Sequence, residues 1–252
     1  MNSFKKNVII IISVTLSTCL GMLFGMLISG GFNFQKDYDF SKNNDDNNLY
    51  TIDYILDFIQ VYHLDVIESL GENIDDMNAL PNQTKLLMIH EFMKNNDTYN
   101  FKEGVPSNQF EKYITKVFGA NASLLHENLI YDNNVIYEYK DGVYKEINKY
   151  NDDDYITTII NQVIDYNAIH NKYEITFVKA YAWNNEVKTG SAKVYGSYID
   201  ALNHDNVIYE GDIQGDFEKT NFDFLKKKII KQKYIFSSNL GNLVLTNYEL
   251  ID

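Results

Sequence analysis

An uninterrupted apolar run near the start constrains this chain more than any other feature. The run Val8–Phe32 contains no charged residue, and among its apolar side chains only Ser, Thr and Cys intervene. A helix of roughly 20 apolar residues spans the ~30 Å hydrocarbon core of a bilayer. We therefore predict one transmembrane helix over residues 8–32, and the membrane is the first predicted partner of the chain.

Charged residues on the two sides of this run predict its orientation. Lys5 and Lys6 precede the run, whereas the lysines behind it, Lys36 and Lys42, are interspersed with aspartates. Lysine on a short flank of the first apolar segment favours retention of that end in the cytoplasm. We expect a cytoplasmic tip over residues 1–7 and an extracytoplasmic carboxyl-terminal domain in a single-pass cell-membrane protein.

Two alternatives to a retained anchor remain open. A cleaved signal peptide has an apolar region of about 7–15 residues followed by a small-residue cleavage site. The run here is longer, and Ser29-Gly30-Gly31 offers only a poor site. Lipidation of Cys19 is the second alternative. About a dozen apolar residues continue past this cysteine, which fits a cysteine buried in a helix better.

Small residues recur every four positions along the predicted anchor. They lie on one helix face, where close approach of a second helix is favoured in lipid. Gly and Ser are also common in membrane helices in general. The pattern indicates a possible helix–helix interface, in a self-associating protein or a membrane complex, formed by Ser17, Gly21, Gly25 and Ser29.

The rest of the chain has the size and charge of one acidic exported domain. Residues 33–48 are polar and lack apolar periodicity, which predicts a flexible tether, and residues 49–252 are long enough for one domain with its own core. The whole chain carries a net charge of −13, and it contains no arginine. An acidic surface repels nucleic acid, so none is expected as a partner. Since the sole cysteine is Cys19, the exported domain has no disulfide.

Three segments carry helical periodicity. Apolar residues spaced by three and four predict one helix over Leu49–Leu70. This helix would place His63 on its buried apolar face and the acidic residues on its solvent-exposed face. Pro81–Lys94 reads as a second helix because Pro suits a first helical turn. Ser107 is a good N-cap for a third, which Gly119 ends. The acidic residues assigned to the solvent-exposed face of the first helix are Asp53, Asp57, Asp65 and Glu68.

The second half of the domain has the pattern of antiparallel strands. Asp141-Gly142 lies between two runs of strand-forming residues in Val135–Ile147, as a two-residue hairpin turn requires. That register places Tyr139 opposite Tyr144, Ile136 opposite Ile147 and Glu138 opposite Lys145. Further strands are predicted over Ile156–Ile169, Tyr173–Trp183, Ser191–Ala201, Asn206–Glu210, Tyr234–Phe236 and Leu243–Leu250, the last two as a terminal hairpin.

No residue pattern indicates catalysis, a cofactor or a metal. His90-Glu91 lacks the second histidine of a zinc helix, and we place it at the surface or its boundary. The acidic segment Asp152–Asp154 lacks the spaced ligands of a calcium loop. Lysines within Leu225–Lys233 form the only basic cluster of the exported part. They suggest a solvated strand face, since like charges protect an edge strand from pairing, and contact with an acidic partner or an anionic envelope polymer is the alternative. The five histidines are scattered over His63, His90, His126, His170 and His204.

Three segments together resemble a group of known proteins. They are VPSNQFEKYITKVFG (Val105–Gly119), YEYKDGVY (Tyr137–Tyr144) and KYIFSSNLGNLVLTNYELI (Lys233–Ile251). This order of helix, aromatic hairpin and terminal hairpin resembles uncharacterised, membrane-anchored exported proteins of low-GC Gram-positive bacteria. The resemblance implies a location and an architecture, and it transfers no activity.

Together these patterns predict an α+β protein with an amino-terminal transmembrane helix and a few helices packed on a curved antiparallel sheet. The expected function is non-enzymatic binding or interaction at the cell envelope, with an envelope protein or glycan as partner. An envelope hydrolase without a recognisable motif and a structural subunit of a membrane complex are the alternatives.

Overall fold

The chain forms an α+β structure with antiparallel sheets, as predicted. The computed structural model describes residues 50–94, 98–131, 133–148, 155–212, 226–239 and 242–251. Several predictions concern residues outside these ranges. They are the predicted anchor and tether, the alternatives for Cys19, the small residues Ser17, Gly21, Gly25 and Ser29, and the acidic segment Asp152–Asp154. Within the described part, no helix is both long and apolar enough to cross a bilayer.

The predicted single helix over Leu49–Leu70 is wrong. Helix α1 spans Ile52–Val61, and a 3₁₀ segment follows over Leu64–Leu70. Between them His63 adopts a positive φ of 50°, and the Tyr62 carbonyl accepts a hydrogen bond from the Tyr113 hydroxyl instead of continuing the helix. A tertiary hydrogen bond thus replaces the helical one at this break, and His63 is half-buried rather than buried.

The break also reverses one predicted side-chain position. Asp53, Asp57 and Asp65 are exposed as expected, but Glu68 is only 3% exposed. The 3₁₀ segment turns Leu64, Ile67 and Glu68 toward the interior together. The periodicity of a continuous α-helix therefore assigned Glu68 to the wrong face.

The second and third helices are confirmed. Helix α2 spans Asn82–Lys94 and helix α3 spans Ser107–Phe118, with Gly119 at its end. Pro106, rather than Ser107, occupies the N-cap position of α3. The His90 side chain is buried against Tyr137, so its predicted place at the surface or its boundary is wrong.

A four-stranded antiparallel sheet has the strand order β1-β4-β3-β2, from β1 (Val105–Pro106), β2 (Leu129–Tyr131), β3 (Asn134–Lys140) and β4 (Val143–Glu146). The predicted hairpin is confirmed, with Tyr139 opposite Tyr144 and Glu138 opposite Lys145. Ile147 donates its backbone N–H to the Ile136 carbonyl at 3.0 Å. Both turn residues have positive φ, 52° at Asp141 and 80° at Gly142, as this turn type demands.

A six-stranded antiparallel sheet forms the larger layer. Strand β6 (Lys172–Trp183) pairs along its whole length with β5 (Ile156–Ile169). On its other side β6 pairs with β9 (Lys231–Asn239) and, near its end, with β7 (Ser191–Tyr195). The remaining strands are β8 (Val207–Asp212), beside β7, and β10 (Asn242–Ile251), beside β9.

Two parts of this sheet differ from the prediction. The segment predicted as one strand over Ser191–Ala201 ends at Tyr195, and helix α5 follows over Tyr198–Asn203. The Ser197 hydroxyl caps this helix by accepting from the Asp200 N–H at 3.1 Å. Helix α4, Asn184–Thr189, also joins β6 to β7, and no apolar periodicity marks a helix of only 6 residues.

The lysine cluster does not form an edge strand. Lys226–Lys228 form a 3₁₀ turn, and β9 begins at Lys231 between β10 and β6. Lys233 pairs with Glu249 across the terminal hairpin at 3.3 Å. Since both sides of β9 are occupied by strands, the predicted role of like charges in protecting an edge does not apply.

Both faces of β6 are covered. Tyr173, Phe177 and Tyr181 alternate along one face, and on this side Phe58 of α1 meets Phe236 of β9 edge-to-face at 5.9 Å. On the opposite face Val178 and Ala180 pack into a second apolar cluster with Val194 and Ile229. A backbone bridge between Ile74 and Tyr248 ties the segment after the 3₁₀ turn to β10.

Candidate functional site

The five histidines lie in separate surroundings. His63 and His170 occupy positions of positive φ, His90 lies inside against Tyr137, His126 lies between Glu111 and Tyr144, and His204 contacts Trp183. Over the described ranges no three His, Cys, Asp or Glu side chains are arranged to hold a metal ion.

His90 makes the stability of the domain depend on pH. Burial lowers the pKa of His90 to about 4, and the nearby charges of Lys94 and His63 act in the same direction. An unfolded histidine titrates near 6.5, so between these values the unfolded chain binds the extra proton. The buried, uncharged His90 therefore contributes its full stabilisation above pH 6.5. As the pH falls toward 4, the free energy of unfolding decreases by about 3 kcal/mol in total.

We expect His90→Gln to flatten this pH dependence. Glutamine keeps a group that can bond the Tyr137 hydroxyl but does not titrate. The measurement is urea unfolding of the full-length protein between pH 7 and pH 4. His170→Asn is the control, because His170 is exposed with a φ of 55° that asparagine tolerates. Equal slopes for wild type and His90→Gln would rule out His90 as the titrating group.

The Trp183 cleft is an open depression at the end of β6. It has a volume of about 430 Å³ and is lined by Trp183, Asn185, Glu186, Thr189 and His204. The indole stacks on the His204 ring, with centroids 5.2 Å apart and planes within 14°. Its Nε1–H donates to the Ala201 carbonyl at 3.0 Å. These contacts hold the two stacked rings in a fixed orientation in the lining of the cleft.

The short helix α4 supplies the other lining residues of the Trp183 cleft, which form its α4 wall. Buried Asn184 anchors its start by two hydrogen bonds to the Tyr155 backbone, at 2.9 and 3.1 Å. Glu186 accepts from the Lys193 backbone N–H at 3.1 Å. The Thr189 hydroxyl donates to the Glu186 carbonyl at 2.8 Å. The polar groups on this wall are therefore fixed in position by β7 and by the segment before β5.

The Trp183 cleft offers hydrogen-bonding groups beside an aromatic pair. The described lining contains an amide, a hydroxyl, an imidazole and one carboxylate, with no lysine among them. A phosphate or carboxylate ligand would therefore meet no ammonium group in the described lining. A ligand rich in hydroxyl groups with one apolar face fits this lining.

A second depression, the α3 cleft, lies between helix α3 and strand β10. It has a volume of about 630 Å³, and its lining includes Glu111, Lys112, Lys116, Asn242 and Val244. Glu111 accepts from His126 at 2.9 Å, and the other imidazole nitrogen contacts the Tyr144 hydroxyl at 3.0 Å. No aromatic side chain is among its described lining residues, so it offers no surface for ring stacking.

A third polar group lies inside the domain. This Glu68 network consists of Glu68, Lys179, Tyr181, Tyr234 and Gln232. Lys179 and the hydroxyls of Tyr181 and Tyr234 all contact the Glu68 carboxylate, and Gln232 donates to the Tyr181 hydroxyl at 2.7 Å. Burial, reinforced by the charge of Glu68, raises the pKa of both tyrosines well above the ordinary value. Glu68 and Lys179 are each 3% exposed, which excludes a freely diffusing ligand.

Reasoning from sequence missed both the Trp183 cleft and the Glu68 network. The predicted strand Tyr173–Trp183 already contained a signal for Lys179, because alternation places it on the same face as Phe177 and Tyr181. Glu68 carried no such signal, since its position follows from the helix break. Neither α4 nor the turn that places His204 beside Trp183 was visible in the residue pattern.

No protein-family model, curated protein sequence or solved structure matches this chain.

Proposed function

We propose that this protein is a membrane-anchored, extracytoplasmic binding protein whose Trp183 cleft holds one sugar unit of an envelope glycan. The observation that carries the proposal is the stacked Trp183–His204 pair, which lines an open cleft of about 430 Å³ together with polar groups of α4. That volume lies within the range of small-molecule sites.

The ligand class follows from the lining. A pyranose ring presents an apolar C–H face to an aromatic wall and hydroxyl groups to hydrogen-bonding side chains. Asn185 and Glu186 supply a carboxamide and a carboxylate for those hydroxyls. The carboxylate also favours an amino sugar over an acidic one, because opposite charges attract and like charges repel.

Location rests on the amino-terminal sequence. The apolar run Val8–Phe32 and the preceding Lys5 and Lys6 support a single-pass anchor with the domain outside. The resemblance to membrane-anchored exported proteins of low-GC Gram-positive bacteria supports the same placement. A glycan of the envelope would be within reach of a domain tethered there.

A binding role is favoured over hydrolysis of the same glycan. Glycosidases generally need two carboxyl groups flanking the scissile bond. Among the described residues that line the Trp183 cleft, Glu186 is the only carboxylate. A structural subunit remains the second alternative, with the small residues Ser17, Gly21, Gly25 and Ser29 as its basis.

The test uses the fluorescence of Trp183, which is the only tryptophan in the chain. Full-length protein in detergent is titrated with N-acetylglucosamine oligomers and with fragments of peptidoglycan glycan. A saturable change in emission is expected for at least one of these probes. Glu186→Gln, which preserves an acceptor for Lys193, should lower the affinity for a glucosamine-containing probe more than for its acetylated form.

Asn185→Ala should weaken binding about tenfold, as expected for one hydrogen bond to a ligand. Glu111→Gln in the α3 cleft is the matched control and should bind like wild type. If no probe changes the emission, or if Asn185→Ala and Glu111→Gln behave alike, the glycan assignment to the Trp183 cleft fails.

A further inference from the structure

We propose that the Lys179 amine condenses with the side-chain carboxamide of Asn161, with Glu68 moving the protons, to form an amide crosslink between β5 and β6. Three observations converge on this step: the strand register, an unpartnered buried carboxamide, and a carboxylate in contact with the amine. The site is independent of the Trp183 cleft.

The register places the two reacting side chains directly opposite each other. Asn161 pairs with Lys179 in a regular stretch of the β5–β6 ladder, where the next pair on each side is also in register. Directly opposed residues of antiparallel strands project from the same face, with Cβ atoms about 5 Å apart. The four-carbon stem of lysine spans such a distance, so no strand has to move.

The Asn161 carboxamide makes no hydrogen bond to the described residues in the uncrosslinked fold. Its Oδ1 and Nδ2 atoms are both buried, and neither has a hydrogen-bond partner in the described part of the chain. A buried polar atom left unpaired destabilises the fold. A carboxamide that stays buried despite this destabilisation is a candidate for a covalent reaction.

Lys179 lies beside two aromatic rings and against the Glu68 carboxylate. Its ammonium nitrogen is 4.9 Å from the centre of the Phe177 ring and 5.4 Å from that of Tyr234, and the side chain is 3% exposed. Transfer of its proton to the contacting Glu68 carboxylate removes both charges from this apolar region. The products are a neutral nucleophile and a neutral acid.

The reaction then balances without any added reagent. The Lys179 nitrogen attacks Cγ of Asn161 while the protonated Glu68 stabilises the developing oxygen charge. Collapse of the tetrahedral intermediate breaks the bond from Cγ to Nδ2, and Glu68 returns a proton to the leaving nitrogen. Glu68 then takes the proton that the attacking nitrogen loses. One amide forms, one ammonia leaves, and Glu68 ends as the neutral acid that the first proton transfer produced.

Tyr181 and Tyr234 act as positioning residues in this scheme. Their hydroxyl groups donate to the Glu68 carboxylate, and Gln232 in turn donates to the Tyr181 hydroxyl at 2.7 Å. These bonds hold the carboxylate against Lys179. The product also fits the site better than the reactants, since one amide N–H replaces a buried ammonium and an unpaired NH₂ group.

Mass spectrometry of the denatured full-length protein decides the question. We expect a mass lower than that of the sequence by one ammonia. Trypsin should then fail to cut after Lys179, and the peptide Tyr150–Lys172 should appear joined to Tyr173–Lys188. A full sequence mass, with the free peptide Tyr173–Lys179 as the product of complete cleavage, would overturn the proposal whatever any variant does.

Variants test the assigned roles. Lys179→Arg preserves a cation opposite Glu68 but has no amine to acylate, and Asn161→Ala removes the electrophile. Both should show the full mass of their sequences. Glu68→Gln should lower the crosslinked fraction at least tenfold after expression for equal times. A crosslinked Glu68→Gln protein would exclude Glu68 as the proton-transfer group, and a mass deficit in Lys179→Arg would assign the lost ammonia elsewhere.

Discussion

Replacing Glu68 by leucine is expected to lower the free energy of unfolding by about 3–5 kcal/mol. The variant leaves the Lys179 ammonium buried without its carboxylate, and it removes the acceptor for the Tyr181 and Tyr234 hydroxyls. The crosslink proposed above would also not form in this variant, which changes stability in the same direction. Urea unfolding of the full-length protein, followed by Trp183 fluorescence, measures the effect.

Glu72→Leu is the matched control for this result. Glu72 is exposed and lies four residues further along the chain, so its replacement should change stability by less than about 0.5 kcal/mol. The double variant Glu68→Leu/Lys179→Met should recover part of the loss, because it removes the unpaired charge as well. A Glu68→Leu protein as stable as Glu72→Leu would show that the buried pair does not stabilise the fold.

Truncation of Phe110 to alanine should destabilise the domain by about 3–5 kcal/mol. Phe110 is fully buried on α3 and stacks on Tyr144 of β4, with ring centroids 3.9 Å apart and planes within 13°. It also meets Phe101 edge-to-face at 6.2 Å. Alanine would leave a cavity between α3 and the β3–β4 hairpin, lined by groups that other contacts hold in place.

The same unfolding measurement tests this second prediction, with Leu125→Ala as its control. Leu125 is 67% exposed, so its truncation removes little buried apolar surface and should cost less than about 0.5 kcal/mol. Similar losses in Phe110→Ala and Leu125→Ala would mean that the contact between α3 and the hairpin contributes little to stability.

Helices, strands and turns whose conformation depends on residues nearby in the sequence were predictable from the sequence. The Asp141-Gly142 turn supplies two positions that tolerate positive φ, and this alone sets the register of β3 and β4. The apolar spacing of α2 and α3, and the strand-forming runs of β5 and β6, are likewise properties of short segments. Each is marked by the periodicity of its own residues, which is why the printed sequence reveals it.

Elements that depend on distant partners were not predictable. The helix break at His63 follows a hydrogen bond that the Tyr62 carbonyl accepts from Tyr113, which is 51 positions further along the chain. The burial of Glu68 needs Lys179, 111 positions away. His90 is buried because Tyr137 of β3 packs against it. In the last two cases a residue type that normally prefers water lies inside, and in all three the partner lies outside any local window of the sequence.

The same division applies to the candidate sites. Residue patterns were enough for an α+β architecture, an acidic exterior and a predicted membrane anchor, because hydropathy and charge act through composition and short-range spacing. The Trp183 cleft, the register of Asn161 opposite Lys179 and the contact of Lys179 with Glu68 required the fold, because they join residues from separate strands and turns. Their chemistry arises from burial and mutual distance, which are properties of the packed chain and not of any segment of it.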